Sequence, residues 1–125
     1  LKQLSHSSTL TGELLVALKS RTKLVITTSA VPPRYILTTV RQYHESILYL
    51  NPTLISLVCG EVRRNTYDVS SLRRIYVSGA ILNDKVYKNA QSILRGISVF
   101  NVYGLSEAAP RVTSQTLECC KSNSV

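Results

Sequence analysis

Val99-Phe100-Asn101-Val102-Tyr103-Gly104-Leu105-Ser106-Glu107 decides the reading of this chain. Val99, Phe100, Val102 and Tyr103 are β-branched or aromatic residues that suit a strand. Gly104 is expected to break the run, and a hydroxyl and a carboxylate follow within three residues. An apolar run of this kind, covered on both sides, belongs to a parallel sheet. In such a sheet ligands bind in the crevice beyond the carboxyl ends of the strands. One place therefore offers an aromatic face, a flexible backbone point, a hydroxyl and a hard-metal ligand.

Working outward, short apolar runs alternate with helical patterns. Leu24-Val25-Ile26, Ile47-Leu48-Tyr49-Leu50, Ile75-Tyr76-Val77 and Val99 to Tyr103 are expected strands, with Arg111 to Gln115 a further one. Between them, Leu10, Leu14, Leu15 and Leu18 share helical spacing. Pro32-Pro33 opens a helix whose inner face is Ile36, Leu37, Val40 and Tyr43. Asn51-Pro52-Thr53 caps another, carrying Leu54, Leu57 and Val58. Asn83 or Asp84 caps a third, striped by Val86, Tyr87, Ala90, Ile93 and Leu94 and ended by Gly96. The fold class is α/β, a parallel sheet with helices on both faces and flavodoxin-like layering, with residues 1–125 as a single subdomain. Tyr35, Tyr43, Tyr49, Tyr76 and Tyr87 are assigned to packing.

Composition narrows the function. With 125 residues and 44% hydrophobic content the chain is long and apolar enough for a core. It has no apolar run near the roughly 20 residues that span a bilayer and no signal-peptide layout, so a cytoplasmic protein is expected. Net charge is +8, from 15 Lys+Arg against 7 Asp+Glu, but it is scattered and accompanies no nucleic-acid motif, which argues against nucleic acid as partner. Cys59, Cys119 and Cys120 are odd in number and have no ligand spacing; they are expected to be reduced thiols without catalytic role.

Ser78-Gly79-Ala80 follows one strand and Tyr103-Gly104 the next, with a helix between, so a right-handed crossover brings both ends to one sheet edge. There Gly79 and Ala80 admit a flat ring, Tyr103 can stack on it, Ser106 can reach a phosphate oxygen, and Glu107 can hold Mg²⁺. The plain alternative stays open: glycine after a strand is often a turn, and Ser-Glu often starts a helix. A Gly-rich phosphate loop with lysine is absent from these residues.

Tyr67-Asp68-Val69-Ser70-Ser71-Leu72-Arg73-Arg74-Ile75, then Ser78-Gly79-Ala80, then Asn101-Val102-Tyr103-Gly104-Leu105-Ser106-Glu107, resembles the adenylate-forming superfamily. That group includes acyl- and aryl-CoA ligases, firefly luciferase and peptide-synthetase adenylation domains. Its pattern runs Tyr-Asp-Leu-Ser-Ser-Leu-Arg, Ser-Gly-Ala/Gly and Tyr-Gly-x-Thr-Glu, in this order and at these separations. Leu4-Ser5-His6, Leu50-Asn51-Pro52-Thr53, Ala109-Pro110 and Lys121-Ser122-Asn123-Ser124-Val125 resemble further family segments, so the likeness covers nearly the whole chain.

The resemblance implies roles by position. Ser78, Gly79 and Ala80 border the adenine, Asn101 and Val102 contact its edge, Tyr103 packs on the ring, and Gly104 lets the loop approach. Ser106 stands where the family usually has Thr and keeps the hydroxyl for the α-phosphate. Glu107 coordinates Mg²⁺, and His6 sits near the substrate carboxylate. Leu105 leans toward a CoA ligase rather than a peptide synthetase. ATP/AMP, Mg²⁺ and coenzyme A are the implied cofactors, and a small carboxylic acid the substrate. The family's phosphate loop, ribose-binding Asp and catalytic Lys are not among these residues. The chain is thus expected to be an inactive part of a larger polypeptide that self-associates when isolated. The alternative is a stand-alone nucleotide- or RNA-binding α/β module.

Overall fold

The computed structural model describes residues 6–27 and 32–116. The chain enters through α1 (Ser7–Thr9), a π-helical turn (Leu10–Leu14) and α2 (Leu15–Ser20). It continues through α3 (Pro33–Tyr43), β1 (Ile47–Leu50), α4 (Pro52–Arg64), β2 (Arg74–Val77) and α5 (Asp84–Ile93). A hairpin of β3 (Ser98–Leu105) and β4 (Ala109–Thr116) ends it. Leu4, Ser5, Cys119, Cys120 and Lys121 to Val125 lie outside the described residues.

The sheet order is β1-β2-β3-β4. β1, β2 and β3 are parallel, with Leu50 opposite Val77 and Val77 opposite Asn101. β4 is antiparallel to β3. Its link, residues 106–108, is far too short for the crossover a parallel neighbour needs.

Alternation along the strands gives the two faces different jobs. Leu50, Ile75, Val77 and Val99 point into one buried cluster with Ile36, Leu37 and Val40 of α3, Leu54, Ile55, Val58 and Cys59 of α4, and Ala90 of α5. The opposite face carries Tyr49, Tyr76 and Phe100, in register across three strands. Asn51 caps α4 by accepting from the Leu54 N–H at 2.7 Å, and Asn83 caps α5 by accepting from the Val86 N–H at 2.9 Å. Gly79 and Gly96 hold φ of +94° and +81°, which favour glycine in the turns after β2 and α5.

Several expectations are corrected. Leu24-Val25-Ile26 forms no strand; residues 22–27 instead line a cavity together with Ile47, Leu48 and Tyr49 of β1. Leu10, Leu15 and Leu18 are exposed, and the buried positions of that helical segment are Thr9, Gly12 and Ala17. Thr9 and Gly12 let the start of this segment come close to β4. Tyr43 and Leu57 are exposed, not inward. Gly104 does not stop the strand: β3 runs on to Leu105, with a register irregularity between Tyr103 and Leu105. Ser106-Glu107 does not begin a helix; it occupies the hairpin turn.

The motif Tyr67 to Ile75 is a folding device. The Tyr67 hydroxyl donates to Glu61 Oε1 at 2.7 Å, which raises the Tyr67 pKa. Asp68 accepts from the Ser70 N–H at 3.0 Å, and hydrogen bonds from Ser70 lower its carboxyl pKa. Ser71 Oγ donates to the Glu45 carbonyl at 2.9 Å, and Leu72 is buried. Together these contacts steer the chain from α4 into β2.

Candidate functional site

Parallel pairing sets the carboxyl ends of β1, β2 and β3 along one edge. Ser78 lies one residue past the Val77–Asn101 pair and is tied down by its N–H donating to the Leu50 carbonyl at 3.0 Å. It is half-buried, while Gly79 and Ala80 are exposed beyond it. On the neighbouring strand Asn101 is half-buried, Val102 is buried and Tyr103 is 47% exposed, a free aromatic face at the strand end. Gly104, Ser106 and Glu107 follow, all exposed. Sheet register thus brings the residues at 78–80 and 101–107 to one edge.

The start of the N-terminal helical segment joins them. Ser7 Oγ donates to Ser106 Oγ at 3.2 Å, across a sequence separation of 99 residues. His6, the N-cap of α1, is exposed, with Nδ1 2.9 Å from Ser8 Oγ. His6 is therefore next in sequence to the residue that touches the hairpin tip. No salt bridge engages Glu107 among the described residues. Nor do three His, Cys, Asp or Glu side chains converge there. A metal at Glu107 would be held by one carboxylate and completed by phosphate oxygens of a substrate, a donor set that suits Mg²⁺.

Sequence reasoning missed Ser7 and Arg111. Arg111 of β4 donates from Nη2 to the Gly12 carbonyl at 3.0 Å, a second tie between hairpin and helical segment. It also missed the ring ladder, because Tyr49 and Tyr76 are assigned to packing and Phe100 to its strand without regard to one another. The signal was their equal parity: each stands one residue before the aligned trio Leu50, Val77 and Asn101.

A cavity of about 250 Å³ lies elsewhere, walled by Thr9, Val16, Val25, Ile36, Val40 and Tyr49 among others. It contains none of the residues at 6, 78–80 or 101–107. The strand-end cluster, which gathers the hydroxyl, carboxylate and aromatic groups, is the candidate site; the cavity lies between residues 22–27, α3 and β1.

The model of the family described as AMP-binding enzyme matches residues 2–125. The chain belongs to the AMP-binding enzyme family. The motif resemblance to adenylate-forming enzymes is borne out, and so is the α/β fold. Solved structures with similar folds include the amide bond synthetase McbA from Marinactinospora thermotolerans, at a TM-score of 0.73 and 23% identity, covering 87% of this chain and 22% of that one. The luciferase-like enzyme from the nonluminescent mealworm Zophobas morio aligns at 0.66 and 21% identity over 73% of this chain and 21% of its own. CmiS6 aligns at 0.67 and 21% identity over 86% and 26%. The chain thus spans about a quarter or less of the length of these structures. No curated protein matches it in sequence. Among the described residues of this family member, no helix is long and apolar enough to cross a membrane.

Proposed function

We propose that residues 1–125 form one α/β subdomain of a larger, cytoplasmic ATP-dependent acid ligase, and that they carry its adenine wall and part of its phosphate site. The observation that supports this most is the hydrogen bond from Ser7 to Ser106, which closes the helix start against the hairpin tip at the strand ends. Adenine lies between Ser78-Gly79-Ala80 and Tyr103, with Asn101 and Val102 at its edge and Gly104 allowing close approach. Ser106 donates to the α-phosphate, and His6 faces the substrate carboxylate.

The reaction brings two anions together. A carboxylate oxygen bonds to the α-phosphorus as the bond to pyrophosphate breaks, giving an acyl adenylate. The thiol of coenzyme A then bonds to the acyl carbon, AMP leaves, and the thiol proton passes to solvent. Glu107 would hold Mg²⁺, which would supply positive charge to the reacting phosphate. Ser106 and the backbone of the hairpin turn add fixed donors, which stabilise developing charge without reorganising. Leu105 favours coenzyme A as acceptor over a carrier domain.

ATP–pyrophosphate exchange by the whole enzyme tests this. Glu107→Gln is expected to lower exchange by about two orders of magnitude, the scale of losing a metal's charge stabilisation. Exchange equal to the parent's would refute the assignment. Residues 1–125 alone are expected to give no exchange, and robust turnover from them would contradict the proposal. Exposed Leu15, Val16, Leu18 and Ile26 support self-association of the isolated chain, which sedimentation at rising concentration would reveal or deny.

A further inference from the structure

Tyr49, Tyr76 and Phe100 form a continuous ring ladder on the sheet face opposite the core. Centroids are 5.3 Å apart at 17° for the first pair and 4.9 Å at 22° for the second. The guanidinium of Arg111 lies over this ladder, its Cζ 5.1 Å from the Tyr49 centroid and 5.0 Å from that of Tyr76. Nη2 donates to the Gly12 carbonyl. A guanidinium has five N–H donors in a planar fork. No acidic side chain forms a salt bridge with Arg111 among the described residues, and the residue is exposed. Cation–ring contact fixes the plane of the group while leaving donors for a carboxylate, which Arg takes in bidentate fashion.

Position gives the fork a meaning. Ser106 touches Ser7, and Arg111 touches Gly12, on the same helical segment. Those contacts are five residues apart, or about 7.5 Å at about 1.5 Å per residue. A ligand whose reacting carboxyl sits at Ser106 and whose flat body runs along the helix past Phe100, the half-buried ring of the ladder that Arg111 does not cover, meets the Arg111 fork at about that distance. We propose that Arg111 selects a carboxylic acid with a flat, unsaturated body and a second carboxylate at its far end. This rests on the acid-ligase reading of the strand-end site.

The experiment is ATP–pyrophosphate exchange by the whole enzyme with matched acids: cinnamate against 4-carboxycinnamate, and benzoate against terephthalate. The parent is expected to favour the better-fitting dicarboxylate over its monocarboxylate by at least about tenfold in kcat/KM. Arg111→Gln should cut that ratio by at least about tenfold, and Arg111→Lys, which keeps charge without the fork, by several-fold. Should Arg111→Gln fail to fold, as its melting curve would tell, the Arg111→Lys ratio alone decides. A variant that slows both acids equally, with the ratio unchanged, would make Arg111 a latch between helix and hairpin and overturn the proposal. So would a parent ratio near one, with exchange itself leaving the ligase reading intact. Absence of exchange with every acid would overturn both.

Discussion

Asn51→Ala is the perturbation whose size follows most directly from the geometry. Asn51 ends β1 and caps α4, the helix that contributes Leu54, Ile55, Val58 and Cys59 to the core. Pro52, the first helical residue, has no N–H to satisfy. The Leu54 N–H, whose hydrogen bond to Asn51 Oδ1 is partly buried at 2.7 Å, is left without a partner on substitution. A lost cap costs typically about 1 kcal/mol, and shielding from water moves the expected value to about 1–2 kcal/mol. With a urea m-value of about 2 kcal/mol/M, the midpoint should fall by about 0.5–1 M at unchanged m. Asn83→Ala removes the corresponding bond on α5, which is exposed at 2.9 Å, and should cost about 0.5–1 kcal/mol. Asn51→Asp keeps the acceptor and adds negative charge at a helix start, so it should stay within about 0.5 kcal/mol of the parent. Urea titration followed by circular dichroism measures all three. An Asn51→Ala midpoint equal to the parent's, or a loss smaller than that of Asn83→Ala, would refute the reasoning.

Two further outcomes follow from the ionisable groups. Hydrogen bonds from Ser70 hold the Asp68 pKa below its ordinary value, so its contribution is present above the unfolded carboxyl range near about 4 and disappears as pH falls through the lower folded value. Asp68→Asn should therefore lower the urea midpoint at pH 7 and leave it unchanged near pH 2; an equal loss at both pH values would count against the turn. Burial raises the Cys59 pKa, only partly opposed by Arg63, so its thiol should resist alkylation until the chain unfolds. Peptide mapping after iodoacetamide treatment reads this, and prompt labelling of Cys59 in the native protein would show that the core is open.

What the sequence made legible was what short-range chemistry controls. Asn51, Asn83 and Gly96 announced their caps and turn, and the runs at 47–50, 75–77 and 99–103 announced strands because each was apolar enough to lie between layers. The motif from Tyr67 to Ile75 was legible as a family mark, and its hydrogen bonds show why: it fixes the entry into β2. Leu24-Val25-Ile26 misled because strand propensity states a preference, whereas a strand needs a neighbour, and here a cavity stands beside it. Leu10, Leu15 and Leu18 misled because periodicity finds the apolar side of a helix, while close approach to β4 selected the side with Thr9 and Gly12, and Ala17 is buried at the cavity beside α3 and β1. The strand-end residues were legible from order alone. Ser7 and Arg111 were not, since each meets the rest of the site across about a hundred residues of chain, through contacts with |i−j| of 99.

The central claim, that adenine is held at the carboxyl ends of β2 and β3, is tested most directly by photo-crosslinking the whole enzyme with 8-azido-ATP and mapping the labelled peptides. Label within residues 78–80 or 101–107, suppressed by excess ATP, is the predicted result. ATP-protected label confined to the cavity walls at residues 22–27 and α3, with none at the strand ends, would contradict it.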